Sequence, residues 1–303
     1  YLHKLRLQIM PQEKLSDKEF PALFQAADNA SLIAQSNYYL ALKSYLFLLV
    51  VAALIAFYFP ADLIGALSSA SLFLITLCIL IWLKVQKPED IWYNGRAVAE
   101  SVKTRTWRWV MKAEPYEGGV TEEQSRKEFL QDLKSILDQN RSLSAHLQSE
   151  QITGDAISHR MTDVRNLPFE ERLEIYKNER VRNQANWYGK KSLLNKRRAK
   201  QWFVISVILH AIAIGLLLWR ITNPTLVLPI EIVATGASAV LTWLQAKKHN
   251  ELNSSYSLAA HEIVLIKSEA ESVKSDIELS NFVVSSESAF SREHTQWSAR
   301  KNV

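Results

Sequence analysis

One cysteine, Cys78, stands in 303 residues, inside a run of apolar side chains. A single thiol supports neither an intrachain disulfide nor a thiolate metal site. Glycine is scarce at 8, and only Gly118-Gly119 are adjacent, so no glycine-rich loop is available to cradle a phosphate. Neither His-Glu-x-x-His nor Gly-x-Ser-x-Gly occurs. His249, His261 and His294 lie too far apart to share a metal without a second chain. No catalytic residue, metal set or cofactor is expected, and the chain reads as a non-enzyme. Nothing alternates with period two and β-hairpin turn signals are missing, so the expected fold class is all-α.

What the sequence has instead is long apolar runs. Two charge-free stretches, 45–59 and 63–83, lie back to back, and a second apolar pair recurs at 202–219 and 225–244. Pro60 and Pro224 interrupt the two pairs at their tips. A bilayer core of roughly 30 Å takes about 20 apolar helical residues. The short first stretch lengthens to 38–59 if Lys43 snorkels to the interface. The expectation is an integral membrane protein with two helical hairpins, at about 40–83 and 202–246, and four transmembrane helices. Long helices outside the membrane complete a helical, coiled-coil-like layer. The overall hydrophobic fraction of 48% conceals this pattern because it is close to that of a soluble protein.

Charge sets the expected orientation. Lys43, Lys84 and Lys87 flank the open end of the first hairpin; Arg197, Arg198, Lys200, Lys247 and Lys248 flank that of the second. The tips carry Asp62 and one basic residue, Arg220. By the positive-inside rule both hairpins point outward, with both termini and the central segment cytoplasmic. The first strongly apolar run is already a full span, so no signal peptide is expected.

The two halves read as divergent copies. Asn37-Tyr38-Tyr39 precedes the first hairpin and Asn186-Trp187-Tyr188 the second. Trp82-Leu83-Lys84 closes one and Trp243-Leu244-Gln245 the other, and Glu100 and Glu262 follow at similar distances. The expected units are 1–116, a helical connector over 117–175, and 176–303. In the first, a stripe of Ile91, Val98, Val102 and Trp109 predicts a helix that Pro115 and Gly118-Gly119 end. In the connector, Phe129, Leu133, Ile136, Leu137, Asn140 and Leu147 predict another.

In the second copy Leu252, Tyr256, Ala259, Ile263, Ile266, Ala270, Val273 and Ile277 repeat at spacings of four and three, a heptad seam. Neither glycine nor proline occurs after Gly236. The expectation is one unbroken helix, with residues 237–280 running on the order of 65 Å. Leu252, Tyr256, Ile263, Ile266, Val273 and Ile277 are the candidate oligomer contacts. The seam's partner is either another subunit or the chain's own central segment.

Ionisable groups within apolar runs default to a functional hypothesis. His210, near the middle of the third run, and Glu231, about two turns into the fourth, are the candidate pore-lining residues. In the first hairpin Ser68, Ser69 and Ser71 are the alternatives. Gly65 with Ser69, Ala211 with Gly215 and Ala234 with Ser238 are small-residue pairs that allow close helix approach. Outside the membrane, residues 177–200 carry Lys177, Arg180, Arg182, Lys190, Lys191, Lys196, Arg197, Arg198 and Lys200 against one acid, Glu179. That run serves either to orient the hairpin or to bind a nucleotide. As a binding site it offers Lys190, Lys191, Arg197 and Arg198, with Trp187 or Tyr188 to stack on a base; the fallback is Arg96, Lys103 and Arg105.

The segment after the first hairpin reads Trp92-Tyr93-Asn94-Gly95-Arg96-Ala97-Val98-Ala99-Glu100-Ser101-Val102-Lys103-Thr104, then Trp107-Arg108. It closely resembles the post-hairpin signature of the SLATT family of two-helix membrane effectors, carried by Trp92, Tyr93, Arg96, Glu100, Lys103 and Trp107. The second copy is similar through Asn186-Trp187-Tyr188 and Ser291-Arg292-Glu293-His294-Thr295-Gln296-Trp297. It departs from the signature over 252–262, where Tyr256 and Glu262 are its main remnants. The resemblance implies an effector of bacterial antiphage immunity in the inner membrane. It implies an oligomeric pore that depolarises the cell under control of a nucleotide or short single-stranded oligonucleotide made by a partner nucleotidyltransferase. The expected partners are that ligand, the bilayer and further copies of the chain, with a tetramer as the working number. The rival reading is a membrane-anchored interaction scaffold without an ion path, and a transporter built from repeats is a third.

Overall fold

The computed structural model describes residues 15–117, 121–147 and 155–299, with side chains as far as 291. Gly118-Gly119, expected to end a helix, lie outside the described residues, as do the side chains of Arg292–Trp297. Every regular element among the described residues is helical. The described residues form two units: a hairpin unit of residues 33–90 and 189–258, and a polar-core unit built from the described parts of 15–32, 91–188 and 259–299.

In the hairpin unit, α1 (Ala22–Tyr58) and α2 (Leu63–Gln86) meet at the Pro60 turn. Asp62 caps α2 by accepting the Gly65 amide at 2.8 Å, satisfying a donor that the first helical turn leaves unpaired. A Cβ at Gly65 would meet Phe59 Cβ at 2.4 Å, so glycine permits this tight reversal. The Ser69 hydroxyl reaches the Ala52 carbonyl of α1 at 3.5 Å, and Ala52, Gly65 and Thr76 are buried. Small residues thus bring these two helices together. Gly215 and Gly236 face open space, and the same packing logic does not apply at those positions.

The outer faces are apolar. Phe47, Leu63, Ile64, Leu74, Phe203 and Leu218 are each between 60% and 73% exposed. Water contact at each forgoes about 1.5–3 kcal/mol. Six such side chains forgo on the order of 10 kcal/mol, comparable with a domain's entire net stability. Apolar surface on this scale belongs against lipid. By length and composition, the stretches containing α1, α2 and the 41-residue α7 (Arg182–Thr222) are able to cross a membrane.

The fourth apolar run is shorter as a helix than its sequence predicts. Residues 225–229 are not helical, and α8 spans Ile230–Lys247, 18 residues, about 27 Å long. Pro229 stands at its N-cap, which moves the start inward.

The polar-core unit takes α3 (Pro88–Val110) from Ile91 onward. Pro88 suits a first helical position, and Glu89 and Asp90 follow in the positive first turn. The helix stops before Pro115. Buried Arg165 donates to the Trp109 carbonyl and buried Arg172 to the Met111 carbonyl at 2.5 Å, while Lys112 turns to φ 54°. Guanidinium groups thus add bonds to carbonyls at and just beyond the end of α3.

Further along come α4 (Glu122–Gln139), α5 (His159–Arg165), α6 (Phe169–Ile175) and a π-helical turn, Tyr176–Val181, leading into α7. Phe129 of α4 is fully buried against Trp109 and Tyr116.

The long exit helix is broken twice. α8 ends where Lys248 adopts φ 48° and its amide bonds the Leu244 carbonyl at 3.1 Å. α9 (His249–Glu269) then ends before α10 (Asp276–Ala299). Ser275 caps α10 through the Glu278 amide at 3.3 Å, and the Glu278 carboxylate accepts the Lys274 amide at 2.6 Å. These local bonds stop the helix without glycine or proline. The seam breaks with it: Ala259, Ile263, Ile266 and Ala270 are buried within the chain, whereas Ile277 is 75% exposed. Beyond the turn Leu279, Phe282 and Val283 form the buried stripe instead.

Candidate functional site

The signature segment proves to be the join between α1 and α3. The Ser31 hydroxyl donates to the Trp92 carbonyl at 3.0 Å. A Cβ at Gly95 would lie 3.0 Å from the Ala27 carbonyl and 3.1 Å from Ser31, so glycine lets the helices touch. Trp92 and Tyr93 are buried with ring centroids 4.9 Å apart. Arg96 pairs with Asp28 at 3.3 Å and Glu100 at 2.5 Å, and Lys103 with Asp17 at 3.0 Å. Trp107 lies edge-on to Phe20 and Tyr176. Arg105 meets Asp132 at 3.3 Å. The fallback cations Arg96, Lys103 and Arg105 are therefore all engaged by carboxylates of their own chain.

At the centre of the polar-core unit lies a buried ion pair. Arg180 donates Nε to Glu287 Oε1 at 2.8 Å and Nη2 to Oε2 at 2.7 Å. Tyr176 donates to Oε1 at 2.9 Å and Thr104 to Oε2 at 3.0 Å. The two charged side chains are 2% and 0% exposed. Burial works against the Arg180 charge, and the Glu287 carboxylate more than offsets it, holding the guanidinium above its ordinary value. The Tyr176 hydroxyl is pushed up by burial and by the adjacent carboxylate. Sequence reading missed this cluster, since Arg180 looked like one more member of a basic run. The signal was there in Tyr176-Lys177-Asn178-Glu179-Arg180-Val181, where Tyr176, Arg180 and Val181 fall on one buried face. A π-helical turn carries them, a local irregularity that recurs at functional positions.

The remaining basic run behaves as a solvated face. Lys190, Arg197 and Arg198 are exposed and Lys191 half-buried. Trp187 is 36% exposed, but Tyr188 retains only 2%, with the two rings 5.1 Å apart and edge-on. Tyr188 is therefore not free to stack on a base, because its ring is already covered. Lys177 is bonded to Glu174 at 2.6 Å.

In the hairpin unit the two copies share an aromatic collar. Tyr39 and Trp202 each pack against Trp243, at 5.8 and 6.3 Å. Lys247 lies over the Tyr39 ring and Lys43 lies 5.5 Å from the Trp243 centroid. Trp, Tyr and Lys grouped this way suit the bilayer interface. Nearby, His249 Nδ1 lies 2.7 Å from Asn195 Oδ1, and burial together with Lys247 and Arg198 pushes its pKa down. Both hairpins leave through a left-handed lysine, Lys87 and Lys248, each five positions past the closing Trp82 and Trp243.

The two pore-lining candidates are both exposed. His210 Nδ1 sits 2.7 Å from the Ser206 carbonyl, a bond within its own helix. Glu231 falls in the first turn of α8, not two turns inside, because the helix begins at Ile230. A carboxylate there complements the helix N-terminus. Among the described residues no group of three His, Cys, Asp or Glu is placed to hold a metal.

Residues 21–173 match the family model of SMODS and SLOG-associating 2TM effector domain 3. Residues 176–297 match that of SMODS and SLOG-associating 2TM effector domain 1. The first match takes in the connector as well as the first hairpin. No curated protein and no solved structure matches the chain.

Proposed function

Since the chain belongs to the SMODS and SLOG-associating 2TM effector family, as two such domains in tandem, we propose that this membrane effector of bacterial conflict systems acts as a ligand-gated pore. In this reading several copies assemble in the bacterial inner membrane with both termini in the cytoplasm. A nucleotide or oligonucleotide signal shifts the assembly between closed and open states, and opening depolarises an infected cell. The observation that carries the membrane part is the bare apolar surface of the hairpin unit: the most apolar window of the α7 stretch has no residue buried within the chain.

The fourth crossing belongs to the proposal. α8 is about 27 Å long, and with the non-helical 225–229 ahead of it the run reaches the length that a core of roughly 30 Å needs. Glu231 then lies near the outer mouth, where one carboxylate per subunit would form a ring that attracts cations. The ligand acts only through its differential affinity for the two states, so the sign of control follows from which state it prefers.

The test is current across planar bilayers containing the purified chain, with Glu231→Gln as the comparison. A cation-preferring current that loses its preference in the variant supports the reading. Membrane insertion without current under any ligand condition favours a membrane-anchored scaffold.

A further inference from the structure

Helices α3, α4 and α10 of the polar-core unit line a cleft of about 430 Å³, within the range of small-ligand sites. Its charges do not cancel. Arg105 and Arg108 both line it, against the single carboxylate of Asp132. Asp132 is already committed, paired to Arg105 at 3.3 Å and accepting the Tyr116 hydroxyl. The next acid, Glu287, is occupied by Arg180, Tyr176 and Thr104. Arg108 is left with one neutral partner, donating Nη2 to the Ser288 hydroxyl at 3.1 Å. Its Nε is buried and has no hydrogen-bond partner, and among the described residues no carboxylate pairs with it. A buried guanidinium nitrogen without an acceptor is costly, and an anion that reached it from the cleft would remove that cost.

The remaining lining narrows the chemistry. Ser101, Ser135 and Ser291 add hydroxyls and Gln139 an amide, and Ile136 is the apolar exception. No aromatic ring lines the cleft, so it offers no platform for stacking a base. It offers the Arg108 guanidinium, the Arg105 guanidinium shared with Asp132, and several hydroxyls along its walls. Phosphate oxygens, numerous and tetrahedrally spread, match that set better than a planar carboxylate does.

We infer that this cleft binds a phosphate-bearing small molecule of nucleotide size, held by Arg108 and Arg105 through its phosphate groups. Ser288 adjoins Glu287 on α10, so a phosphate that draws Arg108 away from Ser288 acts next to the buried ion pair. That consequence rests on the ligand-gated reading above; the binding itself does not.

The experiment uses the full chain in detergent micelles, with ATP as the titrated probe, inorganic pyrophosphate as competitor and adenosine as the phosphate-free control. Saturable ATP binding that pyrophosphate displaces and adenosine does not reproduce is the expected result. Arg108→Gln should weaken binding about tenfold or more through loss of charge-assisted bonds. Ser101→Trp at the exposed rim fills the cleft while sparing both guanidinium groups, and should weaken binding at least as much. It keeps the test intact if Arg108→Gln does not fold. Lys190→Gln with Lys191→Gln should leave binding unchanged. No saturable ATP binding at millimolar concentration, or binding that tolerates both cleft changes, overturns the assignment. Current without binding would remove this site and leave the pore reading standing; binding that depends on the cleft, without any current, would do the reverse.

Discussion

At the residue scale the polar-core unit depends on charges that carry their partners inside with them. Glu287 accepts four hydrogen bonds from Arg180, Tyr176 and Thr104. Removing one member of a buried pair strands the other, at a cost of about 3–5 kcal/mol. Glu287→Gln should therefore lower the denaturation midpoint strongly, while Arg180→Met with Glu287→Leu should recover much of the loss. A double change that is worse than the single one would mean the pair is not the source of the effect. His249 makes a pH prediction. Its folded pKa lies below the ordinary value of about 6.5, from burial first and then from Lys247 and Arg198. The unfolded chain thus takes up the proton first on acidification. The His249 contribution is complete above about pH 6.5 and is lost as pH falls through the folded value. Melting curves from pH 8 to pH 5 should show a decline that His249→Gln reduces, and equal slopes would contradict this. Arg180 could be counted in the sequence as a cation, but its burial depends on Glu287, 107 positions away, which no local pattern displays.

At the scale of elements, the helices themselves were legible in the sequence and their ends less so. The first hairpin was readable from its apolar length and Pro60, and α4 from Phe129 and Leu133. The absence of glycine and proline after Gly236 predicts one continuous exit helix, and the structure breaks it twice. Lys248 turns left-handed without glycine, and Ser275-Asp276-Ile277-Glu278 carries the Ser-x-x-Glu spacing of a helix start, a signal present in the sequence. If the lysine turn carries backbone strain, Lys248→Gly should stabilise the protein by about 1 kcal/mol, read as a higher melting temperature; a lower one would mean the Lys248 side chain contributes more than its backbone costs. The seam gives a further prediction. Ile263 is 1% and Ile266 7% exposed within one chain, so replacing both by Asp should unfold the polar-core unit itself, seen as lost helical circular dichroism. Intact helicity with a smaller oligomer would place those side chains between subunits instead. The candidate ligand residues were only partly legible. Arg105 was named from its charge, but Arg108 depends on which acids are already engaged, a property of the fold and not of spacing.

For the whole molecule, two tandem effector domains place apolar hairpins and a polar helical core in one chain, and the account turns on what those hairpins do in lipid. Orientation is checked first by cysteines at Asp62, Asn223 and Ser275 in a background with Cys78 replaced. The first two should react with an impermeant thiol reagent added outside intact cells and the third should not; the opposite pattern would invert the topology. The central claim is conduction, and planar-bilayer recording of the purified wild-type chain tests it most directly. The account predicts discrete, cation-preferring current that changes on addition of the controlling ligand and loses its cation preference in Glu231→Gln. Protein that inserts stably in the expected orientation, yet passes no current with or without ligand, would contradict it.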